Sequence, residues 1–151
     1  MMTKEDDFQK AYEYSCRLLK IRDRSENEVT KKLLDKGFKE NIVLQVIEKL
    51  KKNLYLDDKR FAVNYIEKNL YKPKSIDLII YELKEIFEIK KEYLSEIDVS
   101  FYKKLQMEFL KKFVKNKFKN FDQQKVIRFL LNRGFDLSDI EIIISNIKNQ
   151  T

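Results

Sequence analysis

Leu33-Leu34-Asp35-Lys36-Gly37-Phe38 and Leu130-Leu131-Asn132-Arg133-Gly134-Phe135 are nearly the same phrase, and they hold the only two glycines of the chain. The offset of 97 residues continues on both sides: Val29 answers to Val126, and Val43, Val46, Ile47 and Leu50 answer to Ile140, Ile143, Ile144 and Ile147. Apolar residues spaced by three and four mark one face of a helix. A glycine just past such a run marks its end, because glycine reaches the left-handed conformation of a helix stop cheaply. One helical unit is therefore used at least twice. A repeated unit of this kind is suited to presenting a surface, not to building a reaction centre.

Working outward, the first unit is expected to open with a helix over Phe8 to Ile21, broken at Arg22-Asp23-Arg24. Ser25 with Glu28 forms a capping box for a second helix to about Lys36. A third helix follows over about Glu40 to Asn53, and Asp57 is placed to cap a fourth reaching about Tyr71. Pro73, the single proline, turns the chain before a helix opened by Ser75. At an offset of 50 Ser75 matches Ser25, Ile79 matches Val29 and Leu83 matches Leu33, with Phe87 at the place of the glycine, so the middle unit is degenerate or has a different helix ending. A long helix is expected from Val99 to about Lys119, burying Leu105, Phe109 and Phe113. Asp122 caps the next, to Arg133, and Ser138 with Glu141 makes a second capping box for the last, to about Lys148. The expected fold is all-α: three tandem three-helix repeats, over 8–56, 57–98 (degenerate) and 99–151.

Composition agrees with helices. Charged residues make up 38% and apolar ones 43%, while glycine and proline together number three, too few for strand-and-turn architecture. The absence of histidine removes the commonest neutral-pH acid–base group and the commonest metal ligand. Two isolated glycines make no phosphate loop, and a lone Cys16, expected to be a small buried thiol, makes neither a disulfide nor a zinc knuckle. Asp57-Asp58 is explained by helix capping. The expectation is no enzyme, no cofactor, no metal and no catalytic residue. The polar, acidic Met1 to Asp7 is no signal peptide, and no apolar run reaches the ~20 residues of a membrane span, so a soluble cytoplasmic monomer is expected.

The net charge of +7 is local. Residues 103–128 hold nine basic and two acidic residues, which leaves the rest of the chain neutral. At 100° per residue, Lys104, Lys111, Lys112, Lys115 and Lys119 share one face of the long helix, with Glu108 among them. A lysine stripe of this kind can hold a polyanion or an acidic protein surface, though it is also what a solvated helix face looks like. Six arginines stand against 26 lysines, and Arg22, Arg24, Arg60 and Arg133 all fall at unit boundaries. There they either cap helix ends or offer a forked donor to phosphate or carboxylate.

Arg22-Asp23-Arg24-Ser25-Glu26 with Glu28, then Leu33, Lys36-Gly37-Phe38, then Tyr55-Leu56-Asp57-Asp58-Lys59-Arg60-Phe61-Ala62, resembles the RecX family in order and spacing. The phrase ending in Gly134-Phe135, followed by Ile140, resembles that family's C-terminal part, and the resemblance spans about Ala11 to Lys148. Two departures stand out: Asn53-Leu54 occupies the place of a usual glycine, and Phe87 that of another. The resemblance implies that the tandem three-helix repeats take an elongated, curved arrangement. It also implies a regulator that binds the RecA–DNA filament and modulates, most often inhibits, the recombinase and its ATPase, with weak non-specific DNA contact inside the filament. Arg22, Arg24, Arg60, Lys104, Lys111, Lys112, Lys115, Lys119 and Arg133 are the candidate contacts. Three-helix units also suit a stand-alone DNA-binding protein of helix-turn-helix type, and a scaffold for some other protein is the third reading.

Overall fold

A computed structural model describes residues 3–149, and all regular structure among the described residues is helical. In chain order the helices are α1 (Lys4–Ile21), α2 (Glu26–Asp35), α3 (Glu40–Lys52), α4 (Asp58–Asn69), α5 (Ile76–Glu85), α6 (Lys91–Leu94), α7 (Val99–Lys117), α8 (Gln123–Leu131) and α9 (Leu137–Asn149). They form two compact units. One runs to Ala62 and is completed by Lys84–Leu94; the other comprises Val63–Leu83 and the chain from Ser95 onward.

In the first unit the core is Val29 and Leu33 of α2, Ile42, Val43, Val46, Ile47 and Leu50 of α3, with Ala11 of α1 and Leu56 of the following loop. Val29, Leu33, Val43, Val46, Ile47 and Leu50 among them are the residues the repeat singles out. Local signals end the helices where they should: Ser25 and Glu28 form the reciprocal capping box of α2, and Gly37 follows its end at φ +101°. Each such cap contributes about 1 kcal/mol. Helix α1 begins earlier than expected, at Lys4, because Thr3 and Asp6 form a capping box of their own. A further cap comes from far along the chain: the carboxylate of Asp58, the first residue of α4, accepts the Glu26 N–H at 2.8 Å. Asp58 is buried, and burial raises its carboxyl above the ordinary value despite that hydrogen bond.

The second unit repeats the plan with different details. Its main cluster joins Leu110 and Val114 of α7, Val126 and Leu130 of α8, and Ile140, Ile143, Ile144 and Ile147 of α9. Gly134, at φ +88°, packs so closely that a Cβ there would lie 2.6 Å from the Ser75 Oγ and 3.0 Å from the Leu78 Cβ. The Ser75 N–H donates to the Arg133 carbonyl at 3.0 Å, which fastens the start of α5 to the α8 stop. Buried Gln106 donates through Nε2 to the carbonyls of Leu70 (3.3 Å) and Lys74 (2.6 Å), holding the turn around Pro73.

The helix after Ser75 does end differently, as Phe87 at the place of the glycine allows: the left-handed residue after α5 is Glu88 (φ +52°), and the Phe87 ring packs on Phe61 with centroids 5.0 Å apart. Several other expected details are corrected. The last helix is capped by Asp136, not Ser138: its carboxylate accepts the Asp139 N–H at 2.9 Å and the Ser138 hydroxyl at 2.7 Å. Helix α7 buries Gln106, Leu110 and Val114, while Phe109 and Phe113 are half-buried and Leu105 is exposed. Cys16 is half-buried, not fully enclosed.

Candidate functional site

Helix α7 starts at Asp98, whose side chain accepts the Phe101 N–H at 3.1 Å. Its buried line, Gln106–Leu110–Val114, fixes the rotation of the helix. On the wheel Lys112 then stands opposite that line, and Lys104, Lys111 and Lys115 lie about 100–140° from it. Lys104, Lys112 and Lys115 are exposed and pair with no carboxylate among the described residues. Lys111 is less exposed and leans on Glu108 at 3.3 Å. Lys119 does not continue the helical stripe: α7 ends at Lys117, Phe118 caps it, and Lys119 lies exposed in the bend beyond. Lys103, one turn before Gln106 on the buried side of the helix, is held by Asp77 at 3.3 Å.

The structure adds aromatics that the sequence did not separate from the core. Tyr71, Phe109, Phe113, Phe129 and Phe118 form a chain of ring contacts with centroids 5.9, 5.5, 6.0 and 5.5 Å apart. A groove of about 430 Å³ runs beside them, lined by Phe109, Lys112, Phe113, Asn116 and Lys117. The Lys117 Nζ sits 5.2 Å from the Phe129 ring centroid. The lysine stripe therefore borders an aromatic groove within one unit. The signal was present as the Phe109/Phe113 pair at i, i+4, but only the rotation set by Gln106 tells which flank is open.

The boundary arginines mostly secure helix ends. Arg24 is corrected as a contact candidate: it is buried, its Nε donates to the Leu18 carbonyl at 3.3 Å, and Glu28 lies 3.9 Å from its Nη1. Arg22 is partly exposed and pairs with Glu28 at 2.5 Å. Arg60 donates to the carbonyls of Leu54 (3.0 Å) and Tyr55 (3.4 Å), beyond the end of α3. Arg133 donates to the Phe129 carbonyl at 3.2 Å and stacks its guanidinium 3.6 Å from the centroid of that ring. In all four the planar fork serves neighbouring backbone or carboxylate. Among the described residues no acidic or cysteine cluster could hold a metal ion, and no helix is long and apolar enough to cross a membrane.

Comparison with known proteins bears on what this arrangement serves. Residues 11–50 match the family model described as "RecX, first three-helix domain". The regulatory protein RecX of Clostridium perfringens (strain 13) is 32% identical, over 98% of this chain and 73% of the relative. That of Chlorobium phaeobacteroides (strain BS1) is also 32% identical, over 95% of this chain and 97% of the relative. The crystal structure of RecX from Lactobacillus salivarius shares the fold with a TM-score of 0.81 at 24% identity, over 95% of this chain and 98% of that one.

Proposed function

The chain belongs to the RecX family, and from that premise we propose that it is a non-catalytic regulator that binds the RecA–DNA filament and modulates the recombinase and its ATP turnover, with inhibition the expected direction. The observation that carries the reading is the α7 face, where Lys104, Lys112 and Lys115 stand exposed without ion-pair partners within residues 103–128, the stretch that carries the net charge of an otherwise neutral chain. A nucleoprotein filament offers phosphates and acidic protein patches side by side, so one basic face can engage both.

In this proposal the contacts centre on Lys104, Lys111, Lys112, Lys115 and Lys119. Arg22, Arg60 and Arg133 come second, since their guanidiniums already hold helix ends. The protein acts as a cytoplasmic monomer of three repeats over 8–56, 57–98 and 99–151, and its affinity for bare DNA is weak and non-specific.

The test compares binding to bare single- and double-stranded DNA with binding to the recombinase–DNA filament at one salt concentration. Tight filament binding with weak, salt-sensitive DNA binding supports the regulator. Strong sequence-selective duplex binding without recombinase would instead favour the helix-turn-helix reading. The variant Lys111→Glu/Lys112→Glu/Lys115→Glu should lose filament binding and inhibition together, and undiminished inhibition removes the α7 face from the mechanism.

A further inference from the structure

The aromatic groove beside α7 has a chemistry distinct from that of the lysine stripe. On the wheel Phe109, Phe113 and Asn116 stand about 60–120° to one side of the buried Gln106–Leu110–Val114 line, and Lys104, Lys111 and Lys115 turn to the other side. Lys112 lies between the two and lines the groove. Phe109 and Phe113 rest against the core of their unit and also line the groove, so the rings are held in place and still reachable. Tyr71, 63% exposed, extends the row at one end, where it meets Phe109 edge-on. At the other end the Phe129 ring carries two cations, the Arg133 guanidinium at 3.6 Å and the Lys117 amine at 5.2 Å from its centroid.

The groove also has a sign. Its lining of Phe109, Lys112, Phe113, Asn116 and Lys117 contains no carboxylate. Glu108, the only carboxylate of α7, bends to Lys111 at 3.3 Å, on the other flank. Beyond α7 the chain adds exposed Lys119, Lys125 and Arg128, while Asp122 commits its carboxylate to the Gln124 and Lys125 N–H groups. Glu67 acts on Tyr102, two turns before Phe109, and so bounds the basic surface on that side.

Ring faces beside ammonium groups, with a side-chain amide among them, match a ligand in which flat faces alternate with phosphates. That is a single strand of nucleic acid. A duplex stacks its bases on one another and has no open base face for a ring, so it would meet the lysines alone. An acidic protein segment is a poorer match, because the electron-rich face of a phenylalanine repels a carboxylate. The walls are helices, with no sheet edge among the described residues to pair with an extended peptide.

We propose that this groove binds single-stranded DNA, with bases stacked on Phe109 and Phe113, flanking phosphates held by Lys112 and Lys117, and Asn116 at the base edges. The choice of DNA rests on the proposed function. The inference goes beyond it in giving the protein a way to tell a single strand from a duplex, through contacts that tolerate any sequence. All the residues involved belong to one unit.

The probes are a fluorescein-labelled oligo(dT) of about 16 nucleotides, an abasic strand of the same length and a duplex of the same length, titrated by anisotropy at one low salt concentration. The parent should bind oligo(dT) at least about tenfold more tightly than either of the others. Phe109→Leu/Phe113→Leu keeps apolar bulk against the core and removes the ring faces. It should weaken oligo(dT) binding about ten- to a hundredfold and leave duplex binding within about twofold, which also shows that the variant is folded. Lys112→Gln/Lys117→Gln should flatten the salt dependence of strand binding by about 1–1.5 in slope, whereas the leucine variant keeps the parent slope. Equal binding of the abasic strand and oligo(dT) by the parent would overturn the proposal, and this arm needs no variant to fold. Undiminished oligo(dT) binding by a folded leucine variant would overturn it as well. Loss of polyglutamate binding in that variant would assign the rings to an acidic protein, and tighter binding of oligo(rU) than of oligo(dT) would assign them to RNA; either result refutes the assignment to DNA. Strand preference without filament binding would remove the proposed function and keep the groove, and filament binding without strand preference would do the reverse.

Discussion

Alanine at each of the two glycines should cost very different amounts, although both follow a helix at positive φ. At Gly37 (φ +101°) an added Cβ meets nothing within 4 Å, so Gly37→Ala carries only the left-handed penalty, about 1–2 kcal/mol. At Gly134 (φ +88°) the same penalty applies, and the Cβ also falls 2.6 Å from Ser75 Oγ and 3.0 Å from Leu78 Cβ. Ser75 cannot swing away freely. Its Oγ accepts the Leu78 N–H at 3.0 Å, and its own N–H is committed to the Arg133 carbonyl. Overpacking of this kind adds about 1–3 kcal/mol, for a total of about 2–5 kcal/mol at Gly134. Urea unfolding of the two variants, with amide hydrogen exchange to locate the loss, measures the difference. Exchange should quicken in α8 and α9 for Gly134→Ala and in α2 and α3 for Gly37→Ala. In a Ser75→Ala background the nearest clashing atom is gone, so the cost of Gly134→Ala should shrink by about 1 kcal/mol. Equal costs at the two glycines, within about 0.5 kcal/mol, would refute the reasoning, because only the neighbours differ.

Other outcomes follow from the same geometry. Asp58→Ala removes the cap on the Glu26 N–H and should destabilise by about 1–2 kcal/mol at neutral pH, whereas Asp58→Asn keeps an acceptor and should cost less. Burial raises the folded-state pKa of Asp58, so its ionisable carboxyl adds stability that is fully present below the ordinary value of 3.8 and lost as pH rises through the raised value. The parent should therefore gain on Asp58→Asn as pH falls, which urea midpoints across the acid range would register. Gln106→Leu leaves the Leu70 and Lys74 carbonyls without their donor and should cost about 1–3 kcal/mol, with faster hydrogen exchange in the neighbouring helices. If the α7 lysines meet phosphate, removing three of them should flatten the dependence of log affinity on log salt by about 2–3 in slope. An unchanged slope would mean that they meet protein or solvent.

The helices were legible in the sequence wherever a short-range signal ends them. Ser25 with Glu28, Gly37, Asp122 and Gly134 each act within a turn of their own position, and the offset of 97 residues identified much of the main core cluster of each unit. What depended on distant partners was not legible. The Asp58 cap reaches back 32 residues, and Arg24 became buried because Leu18 and Glu28 receive it. The Lys104–Lys115 stripe could be read from helical spacing alone. The aromatic groove could not, because Phe109 and Phe113 read equally well as core until Gln106 is seen to occupy the buried line. The stop of α3 lacked its usual marker: left-handed Leu54 closes the helix with the same pair of hydrogen bonds as Gly37 and Gly134, its N–H donating to the Lys51 carbonyl and that of Tyr55 to the Leu50 carbonyl, without a glycine to announce it.

The first unit is not a continuous length of chain. Its last piece, Lys84–Leu94, supplies Phe87 to the ring of Phe61 and Glu88 to within 3.8 Å of the Lys31 amine, yet it is synthesised only after Val63–Leu83 has been made for the other unit. No single cut can therefore release both units whole. On the ribosome the earlier unit has to wait, lacking Lys84–Leu94, until Val63–Leu83 with most of α4 and α5 has been made. The order in which the segments are synthesised is therefore not the order of the units they complete.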